Sequence, residues 1–292
     1  MNTKIVKFYA KDGIELDGYI NKCDINTEKI LIQIHGMSSN CFRNRDKIIA
    51  NRIKDLNIDT LCFNNRGSDI VRYAKNKNGV RIIAGTAYED IADCYFDIVG
   101  AIEYVISLGY KTIYLQGHSL GATKTVYCYN KLKNENSQLL KYIKGIILLS
   151  LVDIPDMLNT FTPKQYIEYA NKLEAENNTN SIMPIEGTLH PISVKTFLRY
   201  VKYNKDIDFA RYHDINYNFK ELYDMDIPIF MRWGNNKELI KQDAKELVNI
   251  LNEKLKDKNT DINYIDGANH SYTEKEEILA EQIYNFLNKW GF

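Results

Sequence analysis

The sequence predicts an α/β fold: one doubly wound, mostly parallel sheet with a helical lid inserted late in the chain. Short continuous apolar runs alternate with helical patterns before Ser150 and again after Ile227, the rhythm of buried parallel strands with crossover helices. That rhythm stops between Val152 and Tyr223, where helical patterns occur without a convincing strand. Third, Gly117-His118-Ser119-Leu120-Gly121 directly follows an apolar run, as a strand-to-helix turn that lifts a serine hydroxyl clear of a sheet would. Residues 1–151 and 224–292 are therefore read as the core domain and residues 152–223 as the lid.

The first element alternates around Asp12-Gly13, from Ile5 to Ala10 and from Ile14 to Ile20, which predicts an antiparallel edge hairpin because Asp-Gly suits a tight turn. Lys29 to Ile34 is a continuous apolar run and predicts a central strand. Arg45 to Leu56 has helical periodicity, and Asp59 to Asn64 is a second buried strand, so the two strands are joined by a right-handed crossover. Tyr88 to Leu108 reads as a long amphipathic helix opened by Glu89-Asp90, whose charges would complement the helix dipole. The strand Lys111 to Leu115, the helix Ala122 to Lys133 and the strand Ile143 to Leu149 follow. Within the lid, Pro163 to Glu176 and Ser193 to Tyr203 read as helices. Beyond it come a strand at Ile227 to Trp233, a charged helix from Glu238 to Lys256, a strand at Ile262 to Ile265 and a last helix from Glu274 to Trp290.

Bulk composition narrows the function classes. The 292 residues hold 38 Lys and Arg against 38 Asp and Glu, so no net field draws the protein to nucleic acid or an anionic membrane surface. A small, neutral or weakly charged substrate fits better. The cysteines at 23, 41, 62, 94 and 128 are scattered and lack metal-type spacing, as for reduced, mostly buried thiols. With no signal-like apolar segment at the start and no membrane span, a cytoplasmic location is expected.

A serine at such a turn sits in a strained backbone conformation, and Gly117 and Gly121 let strand and helix pack closely around it. The pentapeptide alone occurs in ordinary loops; the preceding strand, the following helix and a downstream histidine single it out. In that order the chain resembles the α/β-hydrolase superfamily. The resemblance rests on the Asp12-Gly13 hairpin, His35-Gly36 after the third strand, Asn65-Arg66-Gly67 after the fourth, the turn after the fifth, and Gly267-Ala268-Asn269-His270-Ser271 after the last. It covers nearly all of the chain outside the lid.

The resemblance implies a chain order of nucleophile, acid, histidine, with Ser119 as nucleophile and His270 as its base. It implies that the backbone N–H groups of Met37 and Leu120 form an oxyanion hole and that His35 organises the loop carrying Met37. The acid departs from the pattern. Relatives commonly carry an aspartate three residues past the glycine that ends the strand, but Gly234-Asn235-Asn236 is followed by Lys237 and then Glu238. Lysine cannot orient a histidine. Glu238, longer and one residue later, is the leading candidate, although it also reads as an acidic residue opening a helix. Asp153, just past the strand Ile143 to Leu149, is the alternative, with Asp243 and Asp156 behind it.

The other histidines read as structural: His118 as a packing residue facing away from the serine, and His190 and His213 as polar lid surface. The lid aromatics from Phe161 to Phe219 would roof an apolar acyl pocket or simply pack the lid on the core. Arg66, Arg72 and Arg81 fall near the expected mouth, where one could hold a carboxylate and surface solvation is the simpler reading. The expected activity is hydrolysis of carboxylic esters through an acyl-enzyme at Ser119, with no metal or organic cofactor and a small-molecule ester or acyl substrate. Alternatives are an acyltransferase, thioesterase or peptidase using the same intermediate, or a non-catalytic binding protein on this fold.

Overall fold

The computed structural model of the chain describes residues 2–291, and of residues 159–161 the backbone only. Strands β1 (Asn2–Tyr9) and β2 (Glu15–Lys22) form the expected hairpin, with Gly13 at a φ of 89° in its turn. Then come β3 (Lys29–Ile34), α1 (Asn44–Ile53) and β4 (Asp59–Asn64). A small hairpin, β5 (Arg72–Lys75) and β6 (Arg81–Ala84), stands outside the main sheet. Next are α2 (Cys94–Ser107), β7 (Thr112–His118), α3 (Leu120–Asn134) and β8 (Ile143–Leu149). Between β8 and the next strand lie α4 (Ile154–Phe161), α5 (Lys164–Ala175), α6 (Val194–Val201) and the single turn α7 (Lys220–Tyr223). The chain closes with β9 (Ile229–Gly234), α8 (Ala244–Lys254), β10 (Thr260–Ile265) and α9 (Glu276–Lys289).

Among the described residues the main sheet has eight strands in the order β1-β2-β4-β3-β7-β8-β9-β10. The β1–β2 and β2–β4 pairings are antiparallel and the others parallel, so the antiparallel edge and the doubly wound parallel sheet are both present. Side chains alternate between faces, which explains why the strands read as unbroken apolar runs. On one face Leu31, Tyr114, Ile147 and Phe230 pack with Ile49 and Ile53 of α1 and Ile283 and Phe286 of α9. On the other, Ile32, Leu115, Leu148 and Met231 pack with α2, α3 and α8.

Three expectations need correction. The β5–β6 hairpin was not foreseen, because its exposed, charge-interrupted strands lack a clean apolar alternation. The helix expected from Tyr88 begins at Cys94, because Glu89 is drawn into the interior by Lys124 and Asp90 caps a separate 3-10 turn at Ile91–Asp93. Helix α8 starts at Ala244 and not at Glu238, because Asp243 accepts the N–H groups of Lys245 and Glu246 and so caps it.

The α4–α7 segment contains one isolated bridge, Ile182–Ser193, and no strand among the described residues. Ala170, Met183, Ile192, Val194, Phe197 and Leu198 make a small core of its own, while Tyr200, Phe209, Tyr212 and Phe219 join the main core. These aromatic side chains therefore pack the segment down; the side chain of Phe161 lies outside the described residues. All five cysteines are unpaired, four of them buried. No helix among the described residues is long and apolar enough to cross a membrane.

Candidate active site

Ser119 stands between the end of β7 and the start of α3 at φ 55° and ψ −126°, a conformation outside the regions that favour L-residues. Its N–H donates to Leu149 O at 2.8 Å, tying the turn to the end of β8. A Cβ on Gly117 would lie 2.2 Å from Gly121 O, and one on Gly121 would lie 2.2 Å from Ile34 O. Both glycines are thus required by close approach, as the motif implied. Gly36 is equally constrained: its Cβ would come within 2.9 Å of His118 O and 3.1 Å of Ser119 Cβ. The loop after β3 consequently lies directly against the serine turn. The backbone N–H groups of Met37 and Leu120 have no acceptor among the described residues, whereas the next N–H, that of Ser38, donates to Thr86 Oγ1 at 2.8 Å.

His35 shapes this loop from beneath. Its Nδ1 donates to Gly36 O at 2.9 Å and its Nε2 accepts from the Asn65 N–H at 3.2 Å, a pattern that only the neutral ring satisfies. Burial, reinforced by the nearby Lys124 ammonium, pushes its pKa down to about 3. Lys124 on α3 is itself fully buried, paired with the equally buried Glu89, and donates to Asn65 Oδ1 at 3.2 Å. The Asn65 side chain in turn accepts from Gly67 N at 3.0 Å. A buried ion pair thus braces both loops behind the serine turn.

His270, in the loop after β10, directs Nδ1 at Glu238 Oε1 in a very short contact. Glu238 Oε1 also accepts the Leu239 N–H at 3.0 Å, and Oε2 accepts the Ser150 hydroxyl at 2.9 Å and the Gly234 N–H at 3.0 Å. Burial pushes the Glu238 pKa up, but hydrogen bonding to His270, its charge and the two N–H groups outweigh that and leave it below the usual range. Glu238 is therefore a carboxylate that fixes the proton on Nδ1 and leaves Nε2 as the basic atom. The Nε2 atom has no partner among the described residues, and no hydrogen bond joins it to Ser119 Oγ. The two residues nevertheless face one cavity of about 200 Å³.

Asp153, the alternative acid, is turned elsewhere: Oδ2 meets His213 Nδ1 at 2.7 Å and Oδ1 caps α4 through the Asp156 N–H at 3.0 Å. Asp156 pairs with Lys241 at 2.7 Å. Asp153, Asp156 and His213 do bring three potential ligand atoms within 4.8 Å of one another, but those same bonds account for the grouping. Arg66 is buried among Asp12, Asp93 and Asp97, and Arg72 pairs with Asp17, so neither is a solvated side chain at the mouth. Arg81 lies over the Tyr73 ring on the small hairpin.

Some supporting residues were not anticipated. His118 is more than packing: its Nε2 donates to His270 O at 2.7 Å, and its ring lies 4.9 Å from that of His270. Burial holds it neutral, well below the usual histidine pKa. Ser150, at a φ of 48°, bridges Glu238 and Tyr272. The first lies inside the pentapeptide and the second directly follows β8, but neither position announces a partner so distant in sequence.

The order of strands, the serine turn after β7 and the histidine after β10 define an α/β-hydrolase fold, and comparison with solved structures agrees. Est1E of Butyrivibrio proteoclasticus with ferulic acid bound aligns at a TM-score of 0.68 and 18% identity, over 98% of this chain and 99% of that one. The α/β hydrolase GrgF of Penicillium sp. sh18 aligns at a TM-score of 0.71 and 14% identity, over the full length of both chains. A Xanthomonas campestris serine hydrolase described as lacking a lid aligns at 0.59 and 12%, over 99% of this chain and 95% of that one. No protein-family model and no curated protein matches the sequence.

Proposed function

We propose that the protein is a serine hydrolase of carboxylic esters, with Ser119 as nucleophile, His270 as general base and Glu238 as the orienting acid. The observation that carries this reading is the Glu238 carboxylate against Nδ1 of His270, a histidine that lines the same cavity as Ser119 in its strained turn. Structural neighbours named as esterases, from Pyrococcus furiosus and Rhodothermus marinus, support it.

As Ser119 Oγ attacks the ester carbonyl carbon, its proton passes to His270 Nε2 and the carbonyl π pair moves onto oxygen. The free N–H groups of Met37 and Leu120 hold that oxyanion, each donor contributing about 2.7–4 kcal/mol to the transition state. When the tetrahedral species collapses, the C–O bond to the alcohol breaks and His270 returns the proton to the departing oxygen. Water then adds to the acyl carbon with its proton going to His270, and collapse regenerates Ser119 and frees the acid. Glu238 stays ionised throughout and stabilises the imidazolium.

The cavity is small against the 300–1,000 Å³ usual for ligand sites, and aliphatic where it is not polar. Met37 and Leu120 supply one side; Val152, Ile154, Met157 and Leu189, from residues 152–223, supply another. We read that segment as a lid, and a short apolar acyl or alkyl group as what the cavity holds. A neutral fluorophosphonate probe tests the activated serine: one-to-one labelling is expected, lost in Ser119→Ala, with turnover of p-nitrophenyl esters declining as acyl chains outgrow the cavity. Folded protein that takes no label would point instead to a binding protein.

A further inference from the structure

The wall of the Ser119 cavity contains a cation with no neutralising partner among the described residues. Seven of the nine arginines of the chain, all among the described residues, have a carboxylate partner, and Arg81 has the Tyr73 ring. Arg43, which borders the cavity just before α1, has no ion pair, side-chain hydrogen bond or ring contact among the described residues. Among the described residues no carboxylate lines the cavity, and Glu238, behind His270, is committed to four hydrogen bonds. His190, the lining residue nearest in kind, has its pKa lowered by burial and adds no charge at neutral pH. An unopposed guanidinium beside an aliphatic pocket carries the signature of an anion partner, since its planar fork matches a carboxylate bidentately. One cation balances one negative charge, which favours a carboxylate over a phosphate dianion.

We propose that Arg43 selects substrates, so that the preferred ester is a monoanion whose short apolar chain ends in a carboxylate held by this side chain. The inference rests on Ser119 being an esterase nucleophile only for its turnover arm, and a binding arm is independent of it.

In the turnover arm, kcat/KM is compared for p-nitrophenyl hemiglutarate and p-nitrophenyl valerate, matched in chain length. Wild type is expected to favour the anionic ester about tenfold, a preference that falls with added salt because Arg43 is exposed. Arg43→Gln should bring the ratio to about one, Arg43→Lys should keep part of it, and Arg81→Gln, outside the cavity, should keep all of it. In the binding arm, monomethyl glutarate is titrated calorimetrically into Ser119→Ala and into the Ser119→Ala/Arg43→Gln double variant; binding only to the former is expected. Protein that takes no fluorophosphonate label but shows this Arg43-dependent binding would sink the esterase reading and leave the anion site standing. Protein that labels at Ser119, shows a wild-type ratio near one and binds monomethyl glutarate no better with Arg43 than without it would overturn the anion site alone.

Discussion

The two walls of the cavity are built differently. On the core side Glu238 is held by four hydrogen bonds, His270 by Glu238 and through its carbonyl by His118, and His35 at both ring nitrogens. On the side of the inserted helices Val152, Ile154, Met157 and Leu189 present aliphatic surface, and His190 has no side-chain partner among the described residues. The core side thus holds what proton transfer needs, groups fixed to within a hydrogen bond. The inserted side offers what fit needs, surface that tolerates exchange.

The sharpest test of that division sets the two candidate acids against each other. Glu238→Gln keeps the shape but loses the charge that fixes the tautomer, and is expected to lower kcat by about 10³–10⁴-fold, whereas Asp153→Asn, on the inserted side, should stay within about threefold of wild type. Equal losses in steady-state kinetics would erase the distinction between the walls. Next in size is Lys124→Met, which strands Glu89 without a partner in the interior and should cost about 3–5 kcal/mol in urea unfolding. Adding Glu89→Met should recover much of it; no recovery would mean that the loss does not come from the stranded Glu89 charge.

Acid should act on the core side too. His35 and His118 are held neutral, so their native pKa values lie below the ordinary 6.5, and the native state binds fewer protons than the unfolded one. Stability is then complete above about pH 6.5 and falls with acidification towards pH 3, where His35 itself titrates, by about 1.4 kcal/mol per pH unit for each ring. Urea midpoints that stay flat between pH 7 and 5 would contradict this. The smallest effect belongs to the inserted side: Met157→Ala should move the preferred acyl chain longer by one or two carbons, with kcat/KM for the longer ester rising severalfold. A fall for every chain length would show Met157 to be holding the core side in place.

Much of this was legible in the sequence because the elements that matter obey strong local rules. Strands β3, β4 and β8 are covered on both faces, so their apolar runs stand out, and the serine turn carries glycines that nothing else could replace. Glu238 stood out in the sequence as the leading candidate acid, beside Asp153, because only one carboxylate follows closely after Gly234. What stayed hidden depends on contacts between distant residues. Glu89 looked like a helix-dipole charge, and only the fold brings Lys124 to it. Ser38, Ser150 and Tyr272 take left-handed backbone with φ of 52°, 48° and 60° and no glycine to mark them. Arg43 is set apart by the carboxylate partner it lacks among the described residues, and a sequence does not show such an absence.

The interlock of Gly121 with Ile34 O and of Gly36 with His118 O has a mechanical consequence. The loop that carries Met37 and the turn that carries Leu120 ride on backbone that meets without slack, so neither can slide past the other by even the width of a methyl group. Together they form a fixed jaw. Under the proposed ester hydrolysis, the motion that admits substrate and releases product is left to the inserted helices.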